Sequence, residues 1–164
     1  MSRALLCAAV LLACSAPAAA AALPRAGTLV PGRSLGGIRL GESATHVRTA
    51  LGHTFGVCLG CVRTTWYFTY RAFDDRGLAV ELTAGRVSAV YTLWQPPGWH
   101  APRGLQLGAV EAQVTELAGI LAPVPCSDYA AYVHDGAGVR TVYYLTKDKL
   151  WGFGLMRAGA NPCR

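Results

Sequence analysis

Cys58 and Cys61, in Cys58-Leu59-Gly60-Cys61, are the most closely spaced cysteines of the chain. A C-x-x-C pair performs thiol–disulfide chemistry when one thiol has a lowered pKa and attacks as thiolate. Such pairs sit at a helix N-terminus, where the helix dipole stabilises the anion. Here the pair follows an expected helix end and precedes an expected strand, inside a glycine-containing loop. That placement favours a covalent clamp, Cys58–Cys61, over a redox pair, with thiol–disulfide chemistry kept as an alternative. The clamp leaves Cys126 to bond Cys163 and tie the C-terminal tail to the second half of the chain. Closing that loop of about 38 residues contributes about 3–4 kcal/mol in the chain-entropy picture. Cross-pairing with Cys126 is the other scheme, because the two loops that follow the helices could lie close together. His53 with Cys58 and Cys61 supplies three zinc-type ligands, but no fourth is fixed by the motif. No metal and no other cofactor is expected.

The remaining reactive types do not assemble into a catalytic pattern. His46, His100 and His134 have no serine or carboxylate at a fixed spacing, and neither G-x-S-x-G nor H-E-x-x-H occurs. Asp74-Asp75 precedes Arg76-Gly77 and reads as a solvated hairpin turn. Ser43 reads as a helix cap. The expectation is a protein that is not an enzyme.

Residues 1–22 have the anatomy of a secretory signal peptide: one positive charge at Arg3, an apolar run, and a small-residue stretch with A-x-A cleavage options. The run from Ala4 to Cys14 is shorter than the roughly 20 apolar residues that span a bilayer. Leu11-Leu12-Ala13-Cys14 also resembles a lipoprotein signal, which would make Cys14 a lipid anchor of an envelope protein. Export, secreted or to the cell envelope, gives the four later cysteines an oxidising setting and points to two disulfides. With the leader set aside, 14 basic residues stand against nine acidic ones, a net charge of +5. The basic residues are spaced singly rather than in a stripe between aromatics, which argues against nucleic acid. No later segment is long and apolar enough to cross a membrane.

The elements that would carry these residues recur. Gly37-Ile38-Arg39-Leu40-Gly41 returns 67 positions later as Gly104-Leu105-Gln106-Leu107-Gly108, and Val47 and Gly52 return as Val114 and Gly119. After each phrase a short apolar-faced helix is expected, from Ser43 to Gly52 and near Glu111–Leu117. Each helix is followed by three strand signals: 64–71, 78–82 and 87–94 in the first half, then near Tyr129–His134, Val139–Leu145 and Leu150–Met156. One helix on three strands buries too little to stand alone. The fold expected is therefore α+β: two tandem αβββ repeats forming one continuous six-stranded antiparallel sheet, with both helices on one face. The boundaries are 1–22 signal peptide, 23–34 extended lead-in, 35–94 first repeat, 95–103 linker and 104–164 second repeat.

This order of glycine phrase, short helix, Trp66-Tyr67 and hairpin strands resembles the small outer-membrane lipoproteins of the β-barrel assembly machinery. Its tandem form resembles the β-lactamase inhibitor proteins, which use two such units. The resemblance spans most of residues 35–156, and implies a binder, scaffold or inhibitor that docks another protein on a broad sheet face. Val110 departs from it, standing where the first copy has the capping Ser43. No inhibitory loop maps onto this chain.

Alternation then sorts the aromatics. Trp66, Phe68 and Tyr70 share one face of their strand, opposite Tyr67, Thr69 and Arg71. Trp151, Phe153 and Leu155 share a face of the last strand. The outward, partner-binding set is expected to be Tyr67, Arg71, Tyr91, Tyr143 and Trp151, and the partner a protein or cell-envelope component.

Overall fold

The computed structural model describes residues 27–71, 73–119 and 121–164. The signal segment and Cys14 lie outside the described residues. A hairpin of β1 (Leu29–Val30) and β2 (Ser34–Leu35) leads into α1 (Ala44–Leu51), β3 (Gly56–Val57), β4 (Thr64–Thr69), β5 (Gly77–Thr83) and β6 (Arg86–Leu93). A single 3-10 turn at Pro102–Gly104 precedes α2 (Glu111–Ala118), β7 (Ala122–Pro125), β8 (Ala130–Asp135), β9 (Val139–Thr146) and β10 (Lys149–Arg157).

The six-stranded sheet of two αβββ repeats is corrected by this topology. β3 to β10 form one eight-stranded antiparallel sheet in the order β3-β4-β5-β6-β10-β9-β8-β7, and β1–β2 make a separate two-stranded sheet. The extra strands come from segments whose composition hides them. β3 is two residues beginning with glycine, and β7 reads Ala-Pro-Val-Pro. Proline cannot donate to a ladder and is tolerated only at an edge, which is where β7 lies. The lead-in and the linker also fold, since Leu29 of the first and Trp99 and Ala101 of the second join the main core.

The repeated phrase has a local reason. Gly41 N–H donates to Val87 O at 2.8 Å and Gly108 N–H to Leu150 O at 2.6 Å, each onto the first residues of the hairpin strand that follows a tight turn. Ala44 N–H and Glu111 N–H reach the turn carbonyls of Gly85 and Asp148. Both glycines sit at positive φ, 85° and 90°, where a side chain is strained. Each helix start is thereby pinned to a hairpin turn. Ser43 Oγ accepts the His46 N–H at 3.2 Å, the expected cap. α2 instead uses Gln113 Oε1, which takes the Val110 N–H at 3.2 Å.

The main core fills the helix side of the sheet: Val47 and Leu51 of α1 and Val114 of α2 meet Phe68, Leu78, Val90, Phe153 and Leu155. A second cluster lies on the other face, with Ala79, Ala89, Tyr91, Val142, Tyr144 and Met156. The shared face expected for Trp151, Phe153 and Leu155 is corrected by a bulge between Leu150 and Gly152. One extra residue shifts the alternation, so Phe153 and Leu155 face the helices while Trp151 belongs to the other side.

Gly77 opens β5 at φ 146°, and a Cβ there would stand 2.1 Å from Phe68 O. Gly77→Ala is expected to lower the unfolding free energy by about 2–4 kcal/mol, because the β4–β5 ladder must shift. Urea denaturation measures it, and an unchanged midpoint would show that the ladder yields freely.

Candidate functional site

The face away from the helices is partly covered by the chain itself. Beyond β10 the tail turns back, held by Arg140 Nη1 to Ala160 O at 2.7 Å and by the Cys126–Cys163 disulfide. Its last residue reaches the middle of the sheet. Tyr129 Oη accepts the Arg164 N–H at 2.5 Å and donates to Arg164 O at 2.6 Å, and the Arg164 guanidinium lies 5.6 Å over the Tyr91 ring. Arg164 Nε is 2.7 Å from Glu81 Oε1 but off the hydrogen-bond line, so this contact is coulombic rather than directional. Arg63 Nη1 donates to the other oxygen of Glu81 at 3.1 Å. Glu81 is thus a buried carboxylate between two cations, one of them mostly buried beside it.

Beside the tail is a ladder of rings. Trp151 stacks between Trp94, at 5.3 Å, and Tyr144, at 5.1 Å, with Tyr129 edge-on to both Trp151 and Tyr144. Trp94 holds φ 45°, a strained value for a bulky residue, and stays half-exposed. The Tyr144 hydroxyl and Trp151 Nε1 are buried without a hydrogen-bond partner among the described residues. Burial pushes the Tyr91 and Tyr144 phenols well above their ordinary range.

Of the five expected surface residues, Tyr67, Tyr91 and Trp151 share this second face. Tyr91 is buried beneath Arg164 and Trp151 is half-buried in the ring ladder. Tyr143 points the other way, into the helix-side core, edge-on to Phe153 at 6.0 Å. Tyr67 and Arg71 come together at the β3–β4 edge. They line a groove of about 490 Å³ with Phe55, Tyr70, Phe73 and Asp74. Phe73 is fully exposed at φ 63°, and Val57, Leu59 and Val62 along the same edge are exposed as well. Phe73 was not among the expected residues. The sequence signal for it was an aromatic beside the turn acids Asp74 and Asp75, where packing gives no reason for one.

The cysteines are paired Cys58–Cys61 and Cys126–Cys163. Cross-pairing is excluded by the sheet, since the first pair lies beside β3 and Cys126 follows β7, the opposite edge. Seven strand spacings separate those edges, roughly 30 Å. Cys58 and Cys61 sit in the β3–β4 loop, with no helix starting there. Their sulfurs are bonded to each other, which removes the thiolates a zinc site with His53 would need.

No family model and no curated protein matches the chain. Its fold is similar to that of a cysteine-rich secretory protein from Staphylococcus aureus subsp. aureus Mu50, with TM-score 0.50 and 11% identity. That likeness covers 73% of this chain and 43% of that one, so the chain spans less than half of the staphylococcal protein. A DUF4309 family protein from Bacillus subtilis subsp. subtilis str. 168 is similar at TM-score 0.48 and 14% identity, over 75% of this chain and 84% of that one. Neither is named for the assembly lipoproteins or the inhibitor proteins that the repeated phrase resembles.

Glu81→Ala is expected to cost about 3 kcal/mol, because it leaves the mostly buried Arg164 without its counter-charge. Arg63→Ala should cost under about 1 kcal/mol, since Arg63 is half-exposed and Glu81 keeps Arg164. Equal losses in paired urea titrations would contradict this ordering. A second expectation concerns alkaline pH. Tyr132 is raised to about 12 chiefly by donating to Glu111, and Tyr143 to about 12 by burial, from an ordinary 10.0. The unfolded phenols ionise first, so this stabilisation is complete below pH 10 and is lost as pH rises through about 12. Absorbance titration of tyrosinate alongside denaturation checks it. Phenols that all titrate near pH 10 in the folded protein would refute it.

Proposed function

We propose that the chain is an exported, non-enzymatic binding protein that docks a protein of the cell envelope or the secreted fraction at its β3–β4 edge. The single observation that carries this reading is the convergence of Tyr67 and Arg71 with the fully exposed Phe73 in one groove at an open sheet edge. Contiguous exposed apolar surface is uncommon on a free monomer and marks interaction sites. The two edges differ in a way that supports the choice. β7 is blunted by Pro123 and Pro125, as edges usually are. The β3 side carries Val57, Leu59 and Val62 in the open and has no proline. Tyrosine, phenylalanine and arginine are also the residue types that anchor protein interfaces. An extended partner segment laid along this edge would bury Phe73 and meet Arg71 with an acceptor.

The second face fits a different role. Its centre is occupied by the tail, so the partner would meet the edge and only the margin of that face near Tyr67. The Cys58–Cys61 bond, with no helix dipole to favour a thiolate, serves in this reading as a clamp that shapes the edge loop. The two disulfides fit an oxidising compartment, and among the described residues no helix is long and apolar enough to cross a membrane.

The test is site-specific photo-cross-linking. A cross-linking residue at position 73 should capture a defined partner from envelope or secreted fractions, and one at position 147 should not. Tyr67→Ala with Arg71→Ala should remove the capture. Capture that persists in the double variant, or that is equal from position 147, would overturn the choice of edge.

A further inference from the structure

A pocket of about 220 Å³ lies on the helix side, away from the Tyr67–Arg71 groove. It is enclosed by the β1–β2 turn, the 3-10 turn, the C-terminal end of α2 and the sheet. Pro31, Leu105 and Leu117 give it apolar walls, and Arg103, His134 and Tyr143 are its polar side chains.

Tyr143 is the first sign of a ligand. Its ring is packed in the core, only 3% exposed, and the side chain lines the pocket, where no described residue takes up its hydroxyl. A hydroxyl that opens on a pocket is available to donate to a ligand there. Burial holds this phenol protonated, so it is a neutral donor at physiological pH.

Arg103 is the second. It holds φ 62°, ψ 25°, a left-handed conformation that costs a non-glycine residue about 1–2 kcal/mol. The strained turn brings the guanidinium to the end of α2, where Nη1 reaches Leu117 O at a long 3.4 Å. The end of a helix carries about half a negative charge. A full guanidinium charge exceeds it, and the pocket stays electropositive. Among the described residues no acid lines the pocket. Asp135, next to His134 in the chain, is already paired with Arg140 at 2.7 Å.

We propose that this pocket binds a small organic carboxylate, held by the Arg103 guanidinium and the Tyr143 hydroxyl, with His134 beside it and the hydrocarbon body against Pro31, Leu105 and Leu117. One fixed cation matches a monoanion, whereas an inorganic dianion would leave the apolar walls unused. The volume lies below the roughly 300–1,000 Å³ of sites for drug-sized ligands, which sets the ligand near a single ring.

The experiment titrates the isotope-labelled full chain with benzoate, with benzamide as its uncharged isostere, and follows backbone amides by NMR. Benzoate should give saturable shifts at Leu105, Leu117 and Tyr143, and benzamide should give none. Tyr143→Phe keeps the ring and should weaken benzoate by about tenfold, the effect of one hydrogen bond to a charge. Arg103→Asn, which tolerates the left-handed backbone, should abolish binding with amides elsewhere unchanged. Absence of saturable shifts, equal binding of benzamide, or wild-type affinity in both variants would each overturn the proposal. The benzoate–benzamide comparison on the unaltered chain decides even if a variant folds poorly.

Discussion

The pairing of β6 with β10 joins the two halves of the chain. The register Gly154↔Tyr91, Leu155↔Val90, Met156↔Ala89 turns two four-stranded sheets into one. Thr92 Oγ1 adds to it by accepting the Phe153 N–H at 2.9 Å. A four-stranded sheet with one eight-residue helix would cover little apolar surface. Across this seam, Val90 and Leu155 lie side by side on the helix face, and Ala89 and Met156 lie side by side on the face the tail covers. Each later layer depends on that adjacency. Arg164, anchored on the second half through Cys163, can reach Glu81 and Tyr91 of the first half only because β5 and β6 are brought beside β10.

Much of this was legible where the signal is local. The first helix followed from Ser43, Val47, Leu51 and Gly52, and the long strands from runs such as Thr64–Thr69 and Arg86–Leu93, whose side chains need only their own period to declare themselves. The disulfide partners followed from loop placement. What stayed hidden was non-local. β3 and β7 are strands because β4 and β8 lend them partners, and nothing in Gly56-Val57 or Ala-Pro-Val-Pro states that. Alternation says which residues share a face, but not which face the helices cover, and so Tyr143 was placed outward although it packs on Phe153. A single bulge at Leu150/Gly152 separated Trp151 from Phe153, because one inserted residue inverts every later position. The docking of Arg164 on Glu81 lies beyond any pattern in the chain, since the two are far apart in sequence.

The repeated glycine phrase is also clearer in physical terms. It resembles a site motif in composition, yet its N–H groups are spent on Val87 and Leu150 and its positive-φ glycines on turning the chain into a helix. The phrase recurs because the same joint, helix start against hairpin turn, is built twice. Residues engaged in such a joint are poor candidates for recognition, as any ligand would have to displace backbone hydrogen bonds.

In the proposed binding role, recognition falls to surface that the fold has not already used. The helix face is filled by the main core, and the centre of the opposite face is filled by the tail, with Glu81 compensated on both sides. An eight-stranded sheet sealed on both faces retains two kinds of unspent surface: its edges, and gaps where the covering layer ends. β7 is protected by its prolines, which leaves the β3 edge with Tyr67, Arg71 and Phe73. The covering layer ends between the β1–β2 turn and α2, and there the Tyr143 side chain and a strained arginine line a pocket. The two sites lie at opposite ends of the strand order, β3–β4 against β8–β9, so occupancy of one leaves the other open. A protein segment at the edge and a small anion in the pocket would therefore be bound independently, unless the sheet seam at β6–β10 shifts between them.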